Sequence, residues 1–331
     1  DLDNDDTGAI SGYDAGGSTT VKTAQSIVPE SGTLNSFTGN SFTTNGLNVY
    51  LSTFSNGVSP TVTNYSTLTD AKQRYIWQAF NTWWADGALD LIAESYGNNF
   101  GFDANSSATV KDLYFGFVNE SDSNALATTW TWTNSSSGKA TQLAMTVNMH
   151  YYNDIDTTDP NGNSSQGYLD RTLAHEFTHA VMSANITNAA DLPQFIKEGM
   201  SELTHGIDDE RTYRIRNLAG NSASLKNALS LFDTGTGTSF AYAGGYMFLR
   251  YLAKQGSEHY PSANSAGQLS PRSAIRRSDS LPDATVSGDT LTLGKSFDEE
   301  IVDLTSYASV NHADASALAN GIMIFGNENA N

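Results

Sequence analysis

The sequence predicts an α+β protein in which strand-like runs are followed by helices. Apolar side chains recur at three- to four-residue spacing from Leu68 to Tyr96, as in a helix packed against a core. Three strand-like runs follow between residues 111 and 151, and helical patterns dominate from 166 to 254. Strands and helices are thus largely separated along the chain, which favours the α+β class.

Composition and pattern together divide the 331 residues into four parts. The predicted strands are 48–54, 111–118, 127–133 and 142–151, and the predicted helices are 68–96, 166–184, 192–205 and 240–254. The predicted parts are an extended lead-in at 1–45, a domain at 46–254 with subdomains that meet at about 185/186, a linker at 255–284 and a small β-rich region at 285–331.

The charge balance excludes several classes of function. The chain has 17 basic and 36 acidic residues, a net charge of −19, and no cysteine. A general nucleic-acid binder needs an excess of Lys and Arg, and an acidic surface disfavours docking on anionic lipid. No apolar run approaches the length of about 18 residues that a membrane span needs. The acidic, lysine-poor composition favours a secreted or cell-surface protein that binds calcium.

One short segment, LAHEFTH at 173–179, carries a metal-binding pattern. His175 and His179 are four residues apart, so on a helix they lie on one face, one turn apart. Two neutral imidazoles in that arrangement suit Zn²⁺. Glu176 lies beside the first of these ligands, and we expect it to act as a general base on a water bound to the metal rather than as a ligand.

The third ligand is expected on the next helix. Glu198 follows His179 after 18 intervening residues, which allows one connection and a returning helix. Glu202 is the competing ligand, one turn further along the same face. If Glu198 binds the metal, Glu202 is expected to accept a hydrogen bond from a ligand imidazole, and His205 would support the site from the same face. A solvated acidic helix face is the alternative interpretation.

His-Glu-x-x-His followed after 18 residues by Glu-Gly resembles the gluzincin zinc metallopeptidases, with the spacing of the aminopeptidase-N-like family. The segment KEGMSE at 197–202 is similar to the second motif of thermolysin-like enzymes. The resemblance implies a zincin-like protease domain, in which a small mixed sheet and active-site helices precede a mainly helical subdomain. It also implies one catalytic Zn²⁺ and protein or peptide substrates.

A further segment, YAGGYMFLRYL at 242–252, is similar to the Tyr-x-x-Gly-aromatic helix of aminopeptidase-N-like enzymes. By that resemblance Tyr242 stabilises the oxyanion, with Tyr246 as the second choice and as a candidate substrate contact. The Gly-x-Met-Glu-Asn segment with which aminopeptidases hold a free amine is absent from the sequence, so an endopeptidase is expected. The alternatives are an aminopeptidase and a zincin-fold surface or adhesion module with little activity.

Substrate contacts are expected at a sheet edge, because an extended peptide can add to an exposed strand. In zincins the edge strand precedes the motif helix, so 127–133 is the candidate strand. Trp130 or Trp132 would then line subsites, and the alternative is that one of them packs in the core.

Acidic turns suggest a structural Ca²⁺, with solvated loops as the alternative. The candidate ligands are Asp154, Asp156, Asp159, Asp208 and Asp209. The end of the chain, DASALANGIMIFGNENAN, resembles the flank of Gly/Asp-rich calcium-binding repeats of secreted bacterial proteins, which implies a module of a larger secreted protein. The linker at 255–284 contains a basic cluster and is a candidate site of self-processing.

Overall fold

The computed structural model describes residues 32–55, 59–96, 100–192 and 194–205, together with residues 9–13, 19–23, 284–287 and 290–293 and single helical positions between 223 and 249. The chain divides into two units. The first unit consists mainly of residues 25–93 and 98–191, and the second mainly of residues 192–331. The second unit also takes in residues 8–24 and 94–97.

The strands are β1 (Ala9–Tyr13), β2 (Thr19–Thr23), β3 (Ser41–Thr44), β4 (Leu47–Ser55), β5 (Ser59–Val62), β6 (Asp112–Val118), β7 (Ala127–Thr133), β8 (Ala140–Asn148), β9 (Asn163–Ser164), β10 (Gly167–Tyr168), β11 (Ala284–Ser287) and β12 (Thr290–Leu293). The α-helices are α1 (Ala71–Ala79), α2 (Ala85–Tyr96), α3 (Leu169–Asn185) and α4 (Gln194–His205). A π-helical turn, Phe80–Trp84, joins α1 to α2.

The first unit is built on a six-stranded mixed sheet with the strand order β3-β4-β6-β8-β7 and with β5 paired to β4. The neighbouring strands β4, β6 and β8 are parallel. β3 pairs antiparallel with β4, and β7 pairs antiparallel with β8. Parallel neighbours need a crossover connection, and α1, the π turn and α2 supply it between β4 and β6.

One face of this sheet forms the core against α3 and the π turn. Leu51, Phe115 and Met145 lie in register on adjacent strands, and all three are fully buried. The Phe80 ring stacks on Phe115, with 4.2 Å between ring centroids, and on Phe177 of α3, with 5.5 Å between centroids. Aromatic packing of this kind fixes the position and rotation of α3 against the sheet.

The mixed sheet and the several helices agree with the predicted α+β class. The predicted strand at 142–151 is shifted along the chain, because β8 begins at Ala140 and ends at Asn148, where the amide of Tyr151 turns back to the Asn148 carbonyl. The lead-in was expected to be extended, and it contains the antiparallel pair β1–β2. Near the predicted β-rich region, β11 and β12 form an antiparallel pair.

Other expectations reach beyond the described residues. The predicted helix at 240–254 is helical at 242, 244–246 and 249, and its remaining positions lie outside the described residues. The predicted linker at 255–284 lies outside them as well, apart from Ala284 in β11. Among the helices that the structure describes, none combines the length and the apolar character of a membrane span.

The turn between β3 and β4 provides a test of the sheet. Asn45 and Gly46 have φ of 45° and 79°, the left-handed conformation of a two-residue hairpin turn. A Cβ on Gly46 would also collide with the Phe102 carbonyl. We therefore expect Gly46→Ala to lower the free energy of unfolding by about 1–3 kcal/mol in urea titrations. Gly101→Ala is the control, since a Cβ there meets nothing within 4 Å, and equal losses in the two variants would contradict this turn.

Candidate metal centre

The two motif histidines lie side by side on α3. Their Nε2 atoms are 3.2 Å apart, and the ring planes are inclined at 73°. Two nitrogens that bind one Zn²⁺ at 2.0–2.1 Å with a tetrahedral angle are about 3.3 Å apart. The spacing of His175 and His179 therefore fits two ligands of a single cation, as their separation of four residues predicts.

The helix that carries these histidines is held along its length. His175 is buried, and its neighbours in the chain Ala174 and Phe177 are fully buried. Near the first turn, the hydroxyls of Tyr152 and Thr172 share a hydrogen bond of 2.9 Å. At the last turn, the Asn185 amide donates to the Gly101 carbonyl. Two ligands on such an anchored helix lose little freedom when they bind a metal.

Glu176 lies between the two histidines in sequence and is half-buried on α3. Its main-chain carbonyl accepts a hydrogen bond of 2.9 Å from the Thr129 hydroxyl on β7. The edge strand of the sheet is thereby joined to α3 at this residue. Thr129 is not recognisable from the sequence, because a threonine in a strand carries no pattern that would show its partner.

Within the second unit, α4 carries a row of polar side chains on one face. Glu198, Glu202 and His205 stand at i, i+4 and i+7, on one face of the helix, and their exposed fractions are 6%, 0% and 3%. Gln194 donates to the Glu198 carboxylate, and the His205 Nε2 atom is 3.7 Å from a Glu202 oxygen. A buried carboxylate is costly unless a cation or hydrogen bonds compensate it. This burial rules out a solvated acidic helix face, which was the alternative interpretation of the sequence.

A contact between two glycines positions α4 within the second unit. A Cβ on Gly199 would be 2.8 Å from the Gly245 backbone, and one on Gly245 would be 2.6 Å from the Phe195 carbonyl. Tyr242 and Tyr246 are buried at helical positions close to Gly245 in the chain. Gly245 therefore lies close to α4 at Phe195 and Gly199. The roles of both tyrosines stay predictions.

Histidine and glutamate side chains form a buried cluster that could hold a metal ion. The described residues contain two groups in which one ligand atom from each residue lies within 4.8 Å of the others. One group is His175, His179 and Glu198, the predicted ligand set. The other is His175, Glu202 and His205, so the competing carboxylate named from the sequence also has a ligand set. His175 belongs to both groups.

The two tryptophans of β7 lie on the opposite face of the sheet from α3. Side chains alternate along a strand, and Thr129 contacts the Glu176 carbonyl, so Trp130 and Trp132 point the other way. Trp130 is 39% exposed and donates from its indole to the Thr146 hydroxyl. A peptide added to the edge presents side chains to both faces, so a role for these rings in substrate binding stays a prediction.

The acidic turn before α3 uses its carboxylates within the loop. An oxygen of Asp154 accepts from the Ser165 amide, one of Asp156 from the Thr158 amide and hydroxyl, and one of Asp159 from the Asn161 amide. Hydrogen bonds from Thr158 lower the pKa of Asp156. Neither described metal-ligand group includes these residues, and the calcium site stays a prediction. Asp208 and Asp209 lie outside the described residues.

The chain matches no protein-family model, no curated protein and no solved structure. The assignment of a function therefore depends on the geometry of the residues on α3, α4 and β7.

The glycine contact on α4 leads to a test of the site's framework. In an exposed helical position, Gly→Ala stabilises a helix by about 1 kcal/mol. At Gly199 the added methyl would press on the Gly245 backbone, so we expect Gly199→Ala to lower the free energy of unfolding by about 1–3 kcal/mol. Urea titration measures the change. A gain in stability would contradict the close packing at this point.

Proposed function

We propose that this protein is a secreted zinc-dependent endopeptidase of the gluzincin type, with a zincin-like fold. The observation that carries the proposal is the ligand group His175, His179 and Glu198, with Glu176 between the two histidines on α3. The mixed sheet with an antiparallel edge strand before the motif helix also supports it.

The donor atoms fit zinc. Two imidazole nitrogens and one carboxylate oxygen are the protein ligands of many catalytic zinc sites, which keep a fourth position for water or substrate. The spacing of 3.2 Å between the imidazole nitrogens agrees with the geometry of that metal. Bound there, zinc would lower the pKa of a water molecule and polarise the scissile carbonyl.

The chain's own residues would handle the proton and the developing charge. The Glu176 carboxylate would take a proton from the attacking water as the oxygen–carbon bond forms. As the peptide carbon–nitrogen bond breaks, the same carboxylate would return that proton to the leaving nitrogen. By the family resemblance, the Tyr242 hydroxyl would donate a hydrogen bond to the oxyanion.

Protein and peptide chains are the proposed substrates, bound in extended form along β7. β7 ends the described strand order of the sheet, so its outer side is available for pairing. Secretion, a structural calcium and self-processing in the linker at 255–284 belong to the same proposal. The acidic composition supports secretion and calcium binding. The basic cluster in the polar linker supports self-processing.

The role of Glu176 is tested by Glu176→Gln, which keeps the shape of the side chain and removes the base. We expect one bound zinc per chain by metal analysis and a fall in casein hydrolysis of about 10²-fold or more. Glu120→Gln is the control, because Glu120 is exposed and lies on neither α3 nor α4. Hydrolysis that survives in Glu176→Gln would refute the mechanism.

The two ligand groups are told apart by a pair of substitutions on α4. If Glu198 is the ligand, Glu198→Gln should lose zinc on dialysis, because a neutral amide is a poor zinc ligand. Glu202→Gln should keep the metal with an affinity about 10- to 100-fold lower, as expected for a residue that supports a ligand. The reverse result would assign the metal to His175, Glu202 and His205.

A further inference from the structure

The outer edge of β7 presents backbone groups from alternate residues only. The Asn148 amide donates to the Leu126 carbonyl, so the even-numbered residues of β7 direct their backbone groups to β8. Thr129 and Thr131 therefore direct their N–H and C=O groups away from β8. Among the described strands, none pairs with β7 on that side.

Among the described residues of β7, Thr129 alone combines two features. Its backbone faces the outer edge, and its hydroxyl donates to the main-chain carbonyl of Glu176 at 2.9 Å. Thr131 has the same backbone orientation, but its side chain is exposed to solvent. The edge strand and the helix of the proposed general base are thus joined at one hydrogen bond.

We propose that Thr129 is a positioning residue that sets the register of a bound peptide main chain relative to Glu176. The proposal rests on the proposed peptidase function. A bound peptide would pair with the backbone of Thr129, while the hydroxyl of the same residue holds α3. This fixes the distance between the peptide main chain and α3, so the scissile bond is placed against the carboxylate of Glu176. Misplacement by about 1 Å can lower the rate by about 10²-fold, so loss of this tie should affect catalysis.

The test compares Thr129→Val, which keeps the shape and loses the donor, with Thr129→Ser, which keeps the donor. Thr53→Val is the control, because Thr53 is exposed on β4, away from the docking edge, and its hydroxyl also donates to a main-chain carbonyl, that of Thr61. With casein and with one internally quenched peptide, Thr129→Val should lower kcat by about 10-fold or more, with a smaller change in KM, and should shift the positions of the cleavage sites. Thr129→Ser should restore both, and Thr53→Val should behave as the unmodified protein.

Two further measurements separate positioning from folding. Zinc content and Tm should be the same in Thr129→Val and in the unmodified protein. A fall in activity that follows a fall in Tm or in zinc content would overturn the proposal, as would unchanged kcat and cleavage sites.

Hydrogen exchange tests the docking edge without hydrolysis. In the Glu176→Gln protein, unfolded casein should slow exchange of the amides of Thr129 and Thr131, and Thr129→Val in that background should shift or weaken the protection. Absence of protection would overturn the proposed register. If casein protects these amides but the unmodified protein does not cleave casein, the docking edge stands and the peptidase function alone is refuted.

Discussion

Two imidazoles held side by side on a rigid helix are the constraint on which the rest of this site depends. Their nitrogens are 3.2 Å apart because one helical turn separates His175 from His179. The stack of Phe177 on Phe80, and of Phe80 on Phe115, holds α3 against the sheet. The aromatic core is therefore part of the candidate metal site, since it decides where the histidine pair points.

The carboxylates of α4 lie on one buried face of their helix. Glu198 and Glu202 are almost fully buried, which a globular protein tolerates only where a cation or hydrogen bonds compensate the charge. Two ligand groups share His175, so one histidine connects the proposed catalytic ligands with Glu202 and His205. A carboxylate that contacts a metal-bound imidazole usually fixes its orientation, which would give the second group a supporting role.

The sheet matters to the candidate site through its edge strand as well as through its core. β7 is antiparallel to β8 and ends the described strand order, and its side chains alternate between α3 and the opposite face. Thr129 faces the helix, whereas the indole of Trp130 faces away. In the proposed peptidase, this strand would position the main chain of a bound peptide. Alternate side chains of that peptide would then lie on the α3 face and on the opposite face of the sheet.

The sequence by itself determined the elements and the histidine pair, because both follow from local periodicity. The α+β class, the strand at 127–133 and the helix that carries His175 and His179 are examples. Tertiary structure alone showed that Glu198, Glu202 and His205 are buried, and that Glu202 and His205 belong to a group with His175 that could hold a metal ion. It also decided that Thr129 holds the Glu176 carbonyl and that the tryptophans face away from α3. These contacts join residues far apart in the chain, and their geometry depends on packing and strand register, which no local pattern encodes.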